Sequence, residues 1–435
     1  MILEDIIIFL ATQIFSNAPL LLGIIACIGL ILLRKPAGDI ITGTIRVILG
    51  YWILVVGALK LQDVITPLAT WVGEAVGVTG VQPALWAVFG IGLSKYGTEC
   101  GIALILGFII NLILARITRI KTVHITGHIM LIVTAFFVTA AAGYGFNTLQ
   151  IIAIASIASG LYYWLEPYLS YIVMRGNDRL TDKWALGIGD GFGNLTTAWL
   201  SKKIGKREES TEDIKFPAGL EWLRDSQIAI AVFSTFVYLA FGLVAGQKAV
   251  EKFSGGTNWI IYLLLNGIYF SASLSILLYG VRIFIAEIVP AFNGISTKLI
   301  PGAIPGLDYP TMFQFAPTGM FIGYLVNLLG GILATLTMVA IRSPVIVLPS
   351  IFMNFWTGAM LGVFANAWGG RRATFIVPFL WGFIAPFGWA VLYSLSGSVL
   401  MEAHVVLDYT GSLFPWGIPY CLVLWFLRNV LGIHG

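Results

Sequence analysis

Long runs without a charged residue recur along this chain at intervals that suit membrane-spanning helices. Stretches free or nearly free of charge occupy residues 17–33, 40–59, 101–115, 125–144, 149–165, 228–245 and 259–281, then 317–341, 343–369, 375–400 and 413–427. A bilayer crossing takes about 20 predominantly apolar residues, so the pattern predicts an all-α polytopic protein with about 11 spans. Three intervals, 62–94, 184–200 and 293–314, are too short or too broken by Gly, Pro and polar residues to be ordinary spans. Backbone that leaves the helix at membrane depth must be buried in protein or line a cavity, and in transporters such breaks carry the binding groups. Re-entrant helical hairpins are therefore predicted there. Two of the breaks flank the middle of the chain, as an internal repeat requires, although the sequence has no visible self-similarity.

Composition agrees. The 435 residues are 58% hydrophobic and 11% charged, with a mean hydropathy of +0.91, whereas a soluble domain carries roughly a quarter charged residues. Cys27, Cys100 and Cys421 lie in or beside apolar stretches without paired spacing, which indicates neither a disulfide framework nor a zinc site. Residues 2–15 lack a basic leader and contain Glu4 and Asp5; they read as an interfacial helix rather than a cleaved signal.

Charge sets the orientation. Arg34 and Lys35 follow the first span, and Arg116, Arg119 and Lys121 follow the third; an excess of Lys and Arg marks the cytoplasmic side. Two further spans bring the chain back to that side at Arg175, Arg179 and Lys183, with the N-terminus outside. Residues 201–225 hold six basic and six acidic side chains. This balance reads as a solvated cytoplasmic connector or a docking surface for a soluble partner, not a nucleic-acid patch. Residues 1–435 otherwise read as one permease unit.

Ionisable groups inside a membrane are costly and usually functional, so the few present are the candidates. Asp190 sits in Gly187-Ile188-Gly189-Asp190-Gly191-Phe192-Gly193-Asn194, where four glycines in seven positions disfavour a helix. Its carboxylate either accepts hydrogen bonds from a solute's hydroxyls or caps the helix running on through Asn194. Asp308 closes a Pro- and Gly-rich run just ahead of Phe313, Gln314 and Phe315. An acid, an amide and aromatic faces suit a polyhydroxylated ring; the alternative is a re-entrant turn with Asp308 as its cap. His128 begins a span, as a ligand contact or a helix-end donor. Glu99 reads as an acid at a helix N-terminus, and neighbouring Tyr96 joins Asp190, Gly191, Asn194, Asp308, Gln314, Phe315 and His128 as a candidate substrate contact. Arg282 and Glu287 form a candidate interfacial pair, and Arg371 and Arg372 suit a cytoplasmic turn. No Walker loop, nucleotide fingerprint, catalytic triad or metal-ligand spacing is present, so no cofactor, metal or catalytic residue is expected; a phosphoryl donor would be another polypeptide.

Several segments resemble the ascorbate-type enzyme IIC permeases of the bacterial phosphotransferase system. They are Ser16-Asn17-Ala18-Pro19-Leu20-Leu21-Leu22-Gly23, Thr126-Gly127-His128-Ile129-Met130, Ala291-Phe292-Asn293-Gly294-Ile295-Ser296 with Leu299-Ile300-Pro301-Gly302-Ala303, Phe315-Ala316-Pro317, and Gly362-Val363-Phe364-Ala365-Asn366 with Gly369-Gly370. The resemblance spans almost the whole chain. It implies a homodimer in the bacterial inner membrane, with core and scaffold domains interleaved along each chain and an elevator-type movement between them. It also implies a separate cytoplasmic enzyme IIB whose phosphocysteine phosphorylates the arriving sugar.

The departures bear on the substrate. In ascorbate-specific members the His-Ile-Met motif is followed by a ligand-binding glutamine, where this chain has Leu131, Ile132 and Val133. A His-Gln-Gln cluster of the family is replaced by Asp190, Gly191 and Phe192, while Asp308 matches a family acid. Trading amide donors for a carboxylate favours a neutral polyol or pentose over an anion. The expectation is a permease for L-ascorbate or a related sugar or polyol. The alternative is a proton- or sodium-coupled transporter of a small polar solute.

Overall fold

In lipid every backbone polar group needs a partner within the protein, which for most of this chain means a helix. The computed structural model describes residues 9, 13–14, 17–76, 81–83, 85–214, 226–348, 351–406 and 414–433; the interfacial helix expected at 2–15 falls almost wholly outside them. Helix α1 is Ala18–Leu32, α2 Ala37–Val76, α3 Leu85–Ile117, α4 Gly127–Gly143, α5 Thr148–Met174, α6 Gly191–Ile204, α7 Ser226–Ala245 and α8 Gln247–Glu251. They are followed by α9 (Trp259–Lys298), α10 (Pro310–Phe313), α11 (Pro317–Ala340), α12 (Ile351–Leu395), α13 (Ser398–Glu402) and α14 (Phe414–Asn429). Side-chain caps set several starts. Asn17 accepts from Leu20 N at 3.3 Å, and Asn147 and Gln150 form a reciprocal box at the start of α5, at 2.9 and 3.0 Å.

Among the described residues six helices are long and apolar enough to cross a membrane and three shorter apolar ones accompany them. Two places bear on the expected count of about 11 spans. The apolar runs 343–369 and 375–400 supply α12, in which two helical segments meet where Gly370 takes φ 63° and ψ −162°, a conformation open to glycine. Asn327 of α11 ties the two halves together, donating to Pro378 O at 2.8 Å and accepting from Asn354 Nδ2 at 2.8 Å, a polar link of the kind that joins helices in lipid. Arg371 flanks this break and pairs with Glu209 at 3.0 Å. The run 413–427 supplies α14, a 16-residue helix whose Arg428 donates to Gly145 O, just past the end of α4.

The helices pack as two groups interleaved in the chain: α1, α2, α7 and α9 in one, and α3 to α6, α11, α12 and α14 in the other. At Gly29 of α1 and Gly294 of α9 the backbones touch: a Cβ on Gly294 would lie 1.9 Å from Gly29 O. Glu287 of α9 pairs with Arg46 of α2 at 3.0 Å, not with Arg282, because α2 lies alongside α9 whereas residues five apart on one helix point to different sides.

The breaks carry the organisation of the second group. Strands β2 (Thr122–His124), β4 (Ile304–Leu307) and β3 (Ala185–Leu186) form a parallel sheet in the order β2-β4-β3. Each runs into the start of a helix: α4, α10 and α6 respectively. Asn111 on α3 stands in for a further strand at the outer edge of β2, donating to Thr122 O and accepting from His124 N, both at 3.0 Å. A second parallel pairing joins β1 (Gln82–Pro83) to β5 (Val405–Val406), with a bridge between Val81 and Val347. These segments also precede helix starts, those of α3, α14 and α12. The first sheet adjoins the basic ends of α3, α5 and α9, and the second the opposite ends of the bundle.

Candidate functional site

The start of α6, just after Asp190, and the start of α14 meet at Glu166 inside α5. Glu166 is fully buried. Its carboxylate accepts from Gly191 N, the first residue of α6, at 2.6 Å and from Trp416 Nε1 of α14 at 2.6 Å. A helix N-terminus carries partial positive charge and unpaired N–H groups, so a carboxylate from a neighbouring helix satisfies what the chain leading into α6 does not. Gly191 permits this approach: a Cβ there would lie 2.7 Å from Leu169 Cβ and 3.0 Å from both Glu166 oxygens. Rings close the junction, with Trp416 5.5 Å from Tyr162 and 5.7 Å from Phe192.

Asp190 is buried at the start of α6, and its side chain makes no capping hydrogen bond to that helix. Instead the Tyr309 hydroxyl, at the start of α10, donates to Asp190 Oδ2. The starts of α6 and α10 are thus joined through an acid and a phenol, with Glu166 close enough to interact electrostatically with Asp190. Asp308, half-buried, accepts from Tyr309 N at 2.7 Å, and its own carbonyl accepts from Thr311 Oγ1 at 2.5 Å; it also interacts electrostatically with Tyr51 of α2. Tyr309 and Phe313 lie nearly parallel to Trp356 of α12, with centroids 6.1 and 5.8 Å away and planes 18° apart. Aromatic faces beside paired carboxylates can hold a polyhydroxylated solute, the faces packing on C–H surface and the acids accepting from hydroxyls.

The other expected residues divide. Asn194, one turn along α6 from Asp190, is buried and donates to Ser170 Oγ at 2.9 Å. Below it on the same helix face lie buried Thr197 and Ser201, so a polar stripe runs from Asp190 toward the basic end. Gln314 ends α10 and donates to Thr311 O at 2.8 Å. Phe315 sits farther toward the basic face, 5.9 Å from Trp184, and lines a 260 Å³ cavity with Arg179, Ser210, Glu212 and Asn366. His128 lies in the first turn of α4, but its side chain is outside the described residues. Tyr96 sits at a break in α3 (φ −138°, ψ 39°), and none of the contacts described joins it to Asp190 or Asp308. Residues 215–225 also lie outside the description. Glu212, earlier in the connector, accepts from Gly319 N at 2.9 Å and so caps α11.

Sequence reasoning passed over Glu166, Tyr309, Trp356, Trp416 and His124. Glu166 directly follows the charge-free run 149–165, but α5 continues to Met174 and buries it. The usable signal was an acid in an apolar run that resumes after it. His124 is fully buried against Tyr162 and Tyr163, 5.9 and 5.4 Å away. Among the described residues no cluster of His, Cys, Asp or Glu is composed to hold a metal ion.

Comparison with known proteins places this geometry. The chain is 26% identical to the ascorbate-specific PTS system EIIC component of Mycoplasma pneumoniae over 442 aligned positions, which cover 87% of this chain and 66% of that protein. The chain thus spans just under two thirds of that relative's length. Residues 13–410 match the family model EIIC-GAT, the PTS system sugar-specific permease component. With that match extending over the β3–α6 and β4–α10 segments and nearly every apolar helix, the chain is a multi-pass membrane protein that belongs to the sugar-specific permease family of the phosphotransferase system.

Proposed function

We propose that this chain binds L-ascorbate or a related sugar or polyol between the tips at Asp190 and Asp308 and carries it across the bacterial inner membrane. A separate enzyme IIB, bearing a phosphocysteine, phosphorylates it on the cytoplasmic side. The observation that carries this reading is the Tyr309 hydroxyl bond to Asp190 between two re-entrant segments, beside Asp308, Gln314 and the rings of Phe313 and Trp356. Asn194, Gly191 and His128 belong to the same neighbourhood by position in the chain. Tyr96 and Phe315 stand farther out, Phe315 at the cavity through which the solute reaches the cytoplasm.

In this reading α1, α2, α7 and α9 form the scaffold of a homodimer. The remaining group moves against it as an elevator, and the electrostatic contact between Tyr51 and Asp308 lies on the seam. Two carboxylates, Glu166 and Asp190, close together in the membrane also suit a proton-coupled carrier, which is the competing reading. Uptake into vesicles separates the two. Under the phosphotransferase reading uptake requires the phosphoryl donor chain and survives an uncoupler; collapse with the uncoupler in the presence of that chain refutes it. Asp190→Asn and Asp308→Asn should each lower uptake strongly with normal membrane insertion, and wild-type transport by both removes these site assignments.

A further inference from the structure

Between the two helix groups, at their basic ends, lies a cavity of 480 Å³ whose lining is apolar apart from Arg116. One wall belongs to α1 and α9, through Ile28, Phe292 and Leu299; the other belongs to α3 and the β2 segment, through Phe108, Ile113 and Val123. Ile28, Ile113 and Leu299 are also exposed, so the cavity opens sideways to lipid. Arg116 stands at its mouth. Arg119 follows within a turn of chain, and Lys298 precedes Leu299 on the opposite wall. Among the described residues neither Arg116 nor Lys298 has an acidic partner. Lys121, by contrast, is engaged with Ala115 O and Arg116 O at 3.0 and 3.1 Å.

We propose that this groove is a binding site for an anionic phospholipid of the cytoplasmic leaflet. An acyl chain fills the apolar cavity, and the phosphate group meets Arg116 with Arg119 and Lys298 around it. Three observations converge on that occupant. The lining offers an acyl chain contact along two walls and offers no hydrogen-bonding group below the mouth. The cations sit at one end only, as a phospholipid's charge does. That end is the one where the basic-residue rule places the cytoplasmic leaflet, the leaflet whose anionic lipids attract juxtamembrane Lys and Arg. The wall on α1 and α9 is held by the backbone contact of Gly29 with Gly294, so a bound lipid rests on a fixed surface and touches the second helix group across it.

The test is native mass spectrometry of the full chain released from nanodiscs of phosphatidylcholine mixed with phosphatidylglycerol. Wild type should retain phosphatidylglycerol preferentially. Arg116→Gln should cut that preference by about fivefold, the effect of one basic residue at a membrane surface. Ile113→Phe fills the cavity but keeps the cation, and should lower retention of both lipids. Equal retention of the two lipids by wild type overturns the proposal, as does an unchanged preference in Arg116→Gln. Competition by glycerol phosphate without acyl chains would assign the cations to a free phosphate and likewise overturn it. So would a second copy of the chain covering the groove, seen as a change of oligomeric state in Ile113→Phe with lipid retention unaltered.

Discussion

Replacing Glu166 with Leu removes the acceptor on which both re-entrant arms close. Two donors lose their partner, Gly191 N and Trp416 Nε1, each now at 2.6 Å from a carboxylate oxygen in a fully buried position. A buried donor left unsatisfied costs about 1–3 kcal/mol, so the variant should lose about 2–6 kcal/mol against reversible unfolding in mixed micelles. Trp416→Phe keeps a ring against Tyr162 and Phe192 and removes one donor; it should cost less. The two sites share one hydrogen bond, so the double variant should be less destabilised than the sum of the single ones by about 0.5–3 kcal/mol. Glu166→Gln keeps one oxygen acceptor and should fall between wild type and Leu. The functional readout is solute binding: with the tips untied, Asp190 loses its placement against Tyr309, and affinity should fall in Glu166→Leu more than in Trp416→Phe. Additive energies in the double variant, or a Leu variant as stable as wild type, would refute the idea that this carboxylate joins the two arms.

Tyr309→Phe deletes the donor to Asp190 while keeping the ring stacked near Trp356; solute affinity should drop about tenfold, the equivalent of ~1.4 kcal/mol for one hydrogen bond to a charged group, and binding titrations with the purified protein check it. Gly191→Ala places a methyl 2.7 Å from Leu169 Cβ; overpacking of this kind costs about 1–3 kcal/mol, read as a lower melting temperature together with weaker binding. At the Gly370 break, the hydrogen bond from Arg371 and its charge, with that of Lys206, hold Glu209 below the usual carboxylate range. A depressed folded-state pKa contributes stability above the unfolded value and loses it as pH falls through the folded one. Hydrogen-exchange protection in the 206–211 loop, taken relative to the intrinsic rate at each pH, should therefore fall as pH drops below the ordinary Glu range, and Glu209→Gln should abolish that dependence.

How far the sequence foretells this molecule differs by level. Hydropathy alone places the apolar helices, since the cost of unpaired backbone in lipid leaves few alternatives. It also flags the breaks near 187–194 and 301–308, where Gly and Pro accumulate. It does not reveal that α14 reaches Glu166 and Gly145 through Trp416 and Arg428 near its two ends, because its apolar run of 413–427 says nothing of which residues it meets. Nor can local spacing show that residues 122–124, 185–186 and 304–307 pair as one sheet, for strand pairing across more than a hundred residues is decided by tertiary geometry. Asp190 and Asp308 are legible as isolated acids in irregular segments. Tyr309 and Trp356 are not, because an aromatic residue in a membrane protein is ordinarily packing.

The two-ended arrangement explains why so few polar groups suffice. Extended backbone at membrane depth needs partners; β2, β4 and β3 supply them by pairing in parallel, with the Asn111 amide at the outer edge, and β1 pairs with β5 in the second sheet. Parallel pairing also forces every strand to finish at the same depth, so the helix starts that follow are delivered side by side, with free N–H groups directed inward. Any acid near that level is drawn to them, as Glu166 is to Gly191. Asp190, whose side chain does not cap α6, accepts from the Tyr309 hydroxyl across the gap. In the proposed site the phenol holds Asp190 in place while a solute hydroxyl donates to the same carboxylate, whose two oxygens accept more than one donor. The bond also ties α10 to α6, so loss of the phenol disturbs the placement of the acid that the solute would meet.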